Sequence, residues 1–532
     1  MKTHQTHTPP LDEATEYRQA DEPRPDGRRR RLRSLNPADQ TVVGEVETTP
    51  ASEAEEIIER AAETRRAWCR RPLSRRVQRA RMIFYELLEW RSEMLELQVD
   101  ETGKSKLEAR YELWTTCREI GDMLAEADEV LGDDTDGRWW TPGRQMESSW
   151  QSRGTVLVVA SDYAPVHSTV APALAAIIAG NAVIVVGDES SPLTAQSVVN
   201  IATAIGIPDR LWTGVVGGDD LVDRLADRAD AIVSYGSAEQ TRRLARRQAD
   251  RMIPIYGRWK TDDVLIVLND ADIDKAARAA VASSCGGAGR LRRSVRRIYV
   301  QESVADSFVD AVVEEIRTLR QSGLGDVDGL DIGPLGDREE LHDVAERVDE
   351  AASSGARLVA GGRIRPRCRG LFFEPTVLTD VDESMRLWRQ GGPGPVVAIS
   401  TVEAPAEAAR RTRDVDGYGV VSIFSGNADV ARNMADNVGA PVVGINEAIT
   451  DLPSVSPPVR GAVDAPLDPI GADRLRALSQ RLLTVENRWA SIPSILETRT
   501  PRRVEQALDA ALAAVHRRGW LHKTIDTIVP GR

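Results

Sequence analysis

Residues 154–187 read GTVLVVASDYAPVHSTVAPALAAIIAGNAVIVVG. Two runs of small and β-branched apolar residues, 155–160 and 182–186, flank an alanine-rich stretch at 172–178. Strands that are apolar at every position are buried on both faces, and parallel strands need a crossover helix between them. The spacing therefore predicts a β-α-β unit. Working outward, the pattern predicts a helix over 193–205 and strands at 231–234 and 264–268. Further on it predicts strands at 297–300, 358–360, 394–399 and 420–424, with helices at 303–319 and 341–352. The expected class is α/β with two doubly wound domains, and no internal repeat is visible.

The flanks read differently. Residues 51–131 are helical in pattern, with Ser52 and Glu55 spaced as a capping box, a second helix over 77–90, and Trp114 and Met123 in a third. Residues 1–34 lack periodicity and carry Pro9, Pro10, Pro23, Pro25 and the run Arg28 to Arg31, so a disordered tail is expected. Trp139, Trp140 and Trp150 around Pro142-Gly143 suggest a protruding hairpin over 134–152. Residues 452–470, with Pro453, Pro457, Pro458, Pro466 and Pro469, read as an irregular loop. Residues 482–488 read as an edge strand. An amphipathic helix at 503–518 sits in a C-terminal helical extension, 491–532. It reads as packed on the body, with a membrane-surface contact as the minor alternative.

Composition narrows the function classes. Of 532 residues, 41% are hydrophobic and 28% charged, as in ordinary globular proteins. Cys69, Cys117, Cys285 and Cys368 include no CxxC pair, which argues against a disulfide framework and a metal site. No apolar run reaches the roughly 18–20 residues of a membrane span, and the polar N-terminus lacks a secretory signal. The expectation is a cytoplasmic protein with no membrane partner. A net charge of −13 argues against generic nucleic-acid binding. Six of the 69 basic residues are lysines and 63 are arginines. Coding bias accounts for that skew, unless lysines needed for chemistry are missing too.

Scattered pieces, in order, carry a resemblance. They are Asn36-Pro37, Glu101-Thr102-Gly103-Lys104, Pro172 to Ala176 with Gly180-Asn181, Pro192 to Ala195, Gly236-Ser237, and Asp270-Ala271-Asp272. Then come Arg297-Ile298-Tyr299-Val300, Gly333-Pro334-Leu335, Glu374 to Leu378, Gly394-Pro395-Val396, Tyr418-Gly419 and Asn446. Along residues 35–490 the chain resembles the aldehyde dehydrogenase superfamily, in its bacterial succinate-semialdehyde dehydrogenase flavour. The resemblance implies a Rossmann-like cofactor-binding domain (35–133 and 153–260), a catalytic-type domain (261–446), and a small β oligomerisation element (134–152 and 464–490). It also implies NAD or NADP as cofactor. Partners would be further copies of the chain, or an active homologue in a hetero-oligomer.

The family's chemistry needs a cysteine nucleophile, a glutamate base and an oxyanion donor. Counting back from Arg297-Ile298-Tyr299-Val300, the cysteine position is Arg292. A guanidinium stays protonated and offers no nucleophilic lone pair. Cys285, seven residues upstream, reads as a buried small hydrophobe or, alternatively, as a displaced nucleophile. The glutamate position is Arg258, and no glutamate lies between Glu239 and Glu302. Asp262 and Asp263 are possible substitutes, or else a solvated loop pair. Tyr163 stands at the oxyanion asparagine position.

On the cofactor side, Val186 replaces the lysine that reaches the adenosine ribose, leaving Glu189 to accept a ribose hydroxyl. Gly217-Gly218-Asp219 stands for the diphosphate turn, with Asp219 adding an unhelpful charge. Gly236 and Ser237 are kept, and Gly391 takes the place of the glutamate that holds the nicotinamide ribose.

The expectation is a catalytically inactive homologue with a structural or regulatory role. The alternatives are an NAD(P)-dependent aldehyde dehydrogenase, or an altered-chemistry enzyme. In the last, arginines 290, 292, 293, 296 and 297 line the old substrate tunnel and bind a carboxylate or phosphate. The plainer reading has them alternate onto a helix surface and pair with acids.

Overall fold

The computed structural model describes residues 30–136, 144–204, 206–258, 260–321, 330–365, 370–414, 419–448, 470–487 and 513. An antiparallel hairpin, β1 (Arg31–Leu35) and β2 (Val42–Glu47), comes first. Four helices follow: α1 (Ala54–Trp68), α2 (Leu73–Glu89), α3 (Arg91–Thr102) and α4 (Lys106–Leu131). After β3 (Asp134–Asp136) and β4 (Arg144–Ser152), strands and helices alternate. They are β5 (Thr155–Val159), α5 (Pro165–Ile178), β6 (Ala182–Gly187), α6 (Pro192–Ala204), β7 (Trp212–Val216), α7 (Asp219–Ala226), β8 (Ala231–Ser234), α8 (Ala238–Arg247) and β9 (Ile255–Gly257).

The later half holds β10 (Thr261–Val267), α9 (Ile273–Cys285), β11 (Arg293–Gln301), α10 (Ala305–Thr318), α11 (Arg338–Ser353), β12 (Arg357–Ala360) and β13 (Thr376–Thr379). It continues through α12 (Arg386–Gln390), β14 (Val396–Val402), α13 (Pro405–Arg413), β15 (Val420–Phe424), α14 (Ala428–Val438), β16 (Val442–Ile445), α15 (Ala472–Ala477) and β17 (Ser479–Asn487).

Two open sheets carry the fold. The first has the order β7-β6-β5-β8-β9 and is parallel throughout. Every residue of β5 and β6 is buried, which is why these strands read as continuous apolar runs. The chain winds outward from β5 to β7, then returns to place β8 on the other side of β5. Such a reversal leaves a crevice at the carboxyl ends of β5 and β8. The second sheet has the order β12-β13-β14-β11-β10-β15-β16, parallel except for β12 against β13. Both sheets belong to one compact unit, made of the described residues up to Val130 and those from Ser152 to Ser479. The expected α/β class is thus present, with two doubly wound sheets. A second unit carries the three-stranded sheet β17-β4-β3.

α5 is longer than its alanine core suggests. It starts at Pro165, a residue pre-set for the first helical turn, and all fourteen of its residues are buried. Three sequence expectations need correction. Arg31 to Ser34, assigned to a tail, form most of β1, where Arg31 lies within 3.9 Å of Glu45 and Glu47. Ser52 caps nothing, because the chain makes a short 3-10 turn over Ala51–Glu53 and the N-cap of α1 is Glu53. β7 and β16 went unread, being interrupted by Gly214 and Gly444 in otherwise strand-like runs. The Trp139–Trp140 turn, residues 452–469 and the helix expected at 503–518 lie outside the described residues, residue 513 excepted. Among the described residues no helix is long and apolar enough to cross a membrane.

Candidate functional site

A cavity of about 1580 Å³ opens at the crevice and runs from the carboxyl ends of β5 and β8 toward the starts of β10 and β11. One end is lined by Tyr163, His167, Arg258 and Arg292, the other by Glu189, Gly236, Ser237 and Arg243. The structure thus brings Tyr163, Arg258 and Arg292 to one cavity, and among the described residues no cysteine lines it.

Tyr163 follows β5 in a turn where Ser161 Oγ accepts from the Tyr163 and Ala164 backbone N–H groups. Its ring is nearly buried, with Lys104 Nζ 4.1 Å and Arg290 Cζ 5.0 Å from its centroid. Burial first, then the Glu108 charge, raises the phenol well above its ordinary value, so it stays protonated. Arg290 is fully surrounded. Its guanidinium donates to Asp162 (3.1 Å) and to the Thr102 carbonyl (3.2 Å), and lies 3.3 Å from Glu340. Lys260 joins the same acids at 3.4 and 3.6 Å. Arg290 is therefore held in an internal ion-pair network and is not an open anion receptor.

Arg258 projects past β9 to His167. Its Nη1 is 3.1 Å from His167 Nε2 and 3.8 Å from Glu119. Since a guanidinium only donates, Nε2 accepts, and Nδ1 carries the proton toward Thr116 Oγ1, 3.2 Å away. Arg474 Nη1 pairs with Glu119 at 2.7 Å, and the Gly471 N–H donates to the same carboxylate. Burial alone raises a carboxyl, but Arg474, His167 and Arg258 together pull Glu119 down to about 2. His167 is pushed down to about 3, by burial first and the Arg258 charge next.

These shifts set a pH dependence. A histidine held neutral in the fold lends stability that is complete above its ordinary value of 6.5 and is lost as pH falls toward 3. At pH 5 the loss is roughly 2 kcal/mol. Glu119 adds its own loss only below about 4.5. His167→Gln should therefore flatten the fall of the urea midpoint between pH 7 and pH 5, followed by circular dichroism. An unchanged slope would contradict a buried neutral imidazole.

Other expected residues fall elsewhere. Cys285 ends α9, is 1% exposed, and has its thiol pushed up to about 12 by burial. It is a core residue and does not line the cavity, which is the placement of a small hydrophobe and not of a displaced nucleophile. Asp262 and Asp263 lie in β10 and do not line the cavity. Asp263 is buried and accepts from the Gly419 and Val420 N–H groups, so neither a substitute base nor a solvated pair is right. Arg293, Arg296 and Arg297 are not on a helix surface. They lie buried in β11, where Arg296 and Arg297 donate to the carbonyls of Gly394 (3.0 Å) and Trp388 (2.8 Å).

On the cofactor side, Val186 is a buried strand end, and neither it, Gly217 nor Gly391 lines the cavity. Glu189 is exposed in the cavity, and Ser237 caps α8 by accepting from the Gln240 N–H. Asp219 is engaged by Gln240 (3.1 Å) and Arg243. Gly391 has φ +55°, and a Cβ there would lie 2.1 Å from Asp262 Oδ1. Of the residues that the resemblance assigns to the cofactor, Glu189, Gly236 and Ser237 therefore line the cavity, and Val186, Gly217 and Gly391 do not.

Sequence reading missed Glu112, Glu119, His167, Lys104 and Arg474. Glu112, Thr116 and Glu119 recur at i, i+4 and i+7, which puts two carboxylates on the inner face of α4. That was the available signal. Arg474 had none.

The sequence pattern of the aldehyde dehydrogenase family matches residues 24–463. The chain is 30% identical over 422 residues to a putative succinate-semialdehyde dehydrogenase [NADP(+)] 2 of Mycobacterium ulcerans, covering 77% of this chain and 80% of that protein. It is also 30% identical over 443 residues to a probable succinate-semialdehyde dehydrogenase [NADP(+)] of Sinorhizobium fredii, covering 80% and 87%. Among solved structures, betaine aldehyde dehydrogenase from Staphylococcus aureus in complex with NAD+ superposes with a TM-score of 0.82 at 22% identity, covering 89% of this chain and 94% of that one. An E. coli NADP dependent enzyme gives 0.79 at 23%, covering 87% and 95%. With the doubly wound sheets and the crevice between them already in place, the match along most of its length makes this chain a member of the aldehyde dehydrogenase family.

Proposed function

We propose that this family member keeps the cleft but does not run the thioester chemistry, and that it serves as an inactive homologue with a structural or regulatory role. The observation that carries this is that Arg258 and Arg292 line the cleft at the positions the resemblance gives to base and nucleophile, while Cys285 is buried outside its lining. Self-association would run through β17, an edge strand of its sheet that exposes Leu482, Leu483 and Val485. Light scattering on the purified chain reads the oligomeric state.

The second reading is an NAD(P)-dependent semialdehyde dehydrogenase. The names of the relatives support it better than they support inactivity, and Glu189, Gly236 and Ser237 remain for an adenosine. One experiment separates the two: thermal unfolding with millimolar NAD or NADP, alongside absorbance at 340 nm with succinate semialdehyde. The first reading expects no reduced nucleotide above background. A nucleotide present at about 100 times its dissociation constant would add roughly 2.7 kcal/mol and raise the melting point. Sustained NADPH formation would establish the second reading and sink the first.

A further inference from the structure

Between Glu63 and Glu86 the chain carries eight arginines, at 65, 66, 70, 71, 75, 76, 79 and 81, and no acid. This is a concentrated positive field in a protein of net charge −13. It falls where α1 turns into α2. Elsewhere on the surface, arginines sit beside acids, as Arg228 does with Glu55, Arg247 with Asp227 and Arg432 with Asp429. Among the described residues, no ion pair to a carboxylate involves Arg66, Arg70, Arg71, Arg75 or Arg81.

Arg65 and Arg76 are committed to the fold, and Arg79 also has an interaction of its own. Arg65 donates to Ser152 Oγ, and Arg76 to the Ile178 carbonyl at 2.6 Å. Others converge. Arg71, Arg75, Gln78, Arg79 and Met82 line an open groove of about 480 Å³. Arg71 is fixed over the Trp68 ring at 5.0 Å, and Arg75 donates to Gln78 Oε1 at 3.3 Å. Arg75 and Arg79 are four residues apart on one helix face, where like charges repel. Arg79 has an interaction of its own, so the exposed guanidiniums of Arg71 and Arg75 are the two that a multivalent anion at the groove would engage.

We propose that this groove binds a short polyphosphate. Each guanidinium is a planar fork that matches phosphate oxygens two at a time, and a row of adjacent phosphates supplies the three or four charges that one carboxylate cannot. The ligand is compact because the face changes sign beyond Met82, at Glu86, Glu89 and Glu93. A long nucleic-acid strand would run into those acids. Nothing in this site depends on the cleft or on its chemistry.

The test is titration calorimetry of the full chain with sodium tripolyphosphate, with inorganic phosphate and an oligothymidylate as comparators. The expected result is saturable one-to-one binding of tripolyphosphate, at least about tenfold tighter than phosphate. Arg71→Ala with Arg75→Ala should weaken it by about tenfold or more, whereas Arg66→Ala with Arg81→Ala should leave it within about twofold. All four side chains are exposed, and circular dichroism checks that each pair folds. Binding that is absent, or untouched by the groove pair, overturns the proposal. So does tighter binding of the oligonucleotide, which would assign the patch to nucleic acid, or a changed oligomeric state in the groove pair, which would assign it to a subunit contact.

Discussion

Arg474→Leu should lower the stability of the fold by about 3–5 kcal/mol, the cost of leaving one buried charge without its partner. Arg474 is fully buried, 2.7 Å from Glu119, and also donates to the Tyr235 hydroxyl at 3.1 Å. Glu119 is itself 4% exposed, so water cannot replace the lost cation. Arg258 at 3.8 Å and the Gly471 N–H would remain, and they set the lower end of the range. The double change Arg474→Leu with Glu119→Gln removes the orphaned charge and should recover more than half of the loss. Urea unfolding at pH 7 measures both. If the double variant were as unstable as the single one, the damage would come from lost packing, and the ion pair would not be the reason for burying Arg474.

That network also shows what a sequence reveals and what it hides. The sheets were legible because burial on both faces forces β5 and β6 to be apolar at every position, a pattern no surface strand shares. That arginines stand at 292 and 258, the positions the resemblance gives to nucleophile and base, was legible too. The network around them was not. Arg290 looked like a candidate anion receptor, but its acids arrive from Asp162, after β5, and Glu340, on α11. Arg474 comes to Glu119 from 355 residues away in the chain, after a proline-rich stretch with no periodicity. Charges that satisfy one another through tertiary contact leave no local spacing to read. The same limit explains Asp262 and Asp263, whose pairing with Arg297 and with the Gly419 N–H is a property of neighbouring strands and loops.

Gly391→Glu would restore the carboxylate that the resemblance assigns to the nicotinamide ribose. It should nevertheless cost about 2–6 kcal/mol and give no gain in NADP binding. Two separate terms add. A side chain at φ +55° with ψ −133° carries backbone strain of about 1–3 kcal/mol. Its Cβ would also stand 2.1 Å from Asp262 Oδ1 and 2.4 Å from Cγ, closer than any real contact, and overpacking adds about 1–3 kcal/mol. Asp262 cannot step aside cheaply. Its carboxylate is 3.8 Å from Arg297 Nη2, and Arg297 in turn donates to the Asp262 carbonyl (3.0 Å) and the Trp388 carbonyl (2.8 Å). Arg347 holds the Gly391 carbonyl from the other side and donates to the Pro393 carbonyl at 2.6 Å. Because the first atom of the side chain makes the collision, Gly391→Ala should already lose more than half of what Gly391→Glu loses. Urea midpoints of the two variants, with thermal shifts in millimolar NADP, decide it. A Gly391→Glu protein of normal stability that gained an NADP shift would mean that the loss is one reversible substitution. The geometry argues the opposite: Asp262 occupies the space a side chain would need, so restoring the glutamate requires rebuilding its neighbours as well.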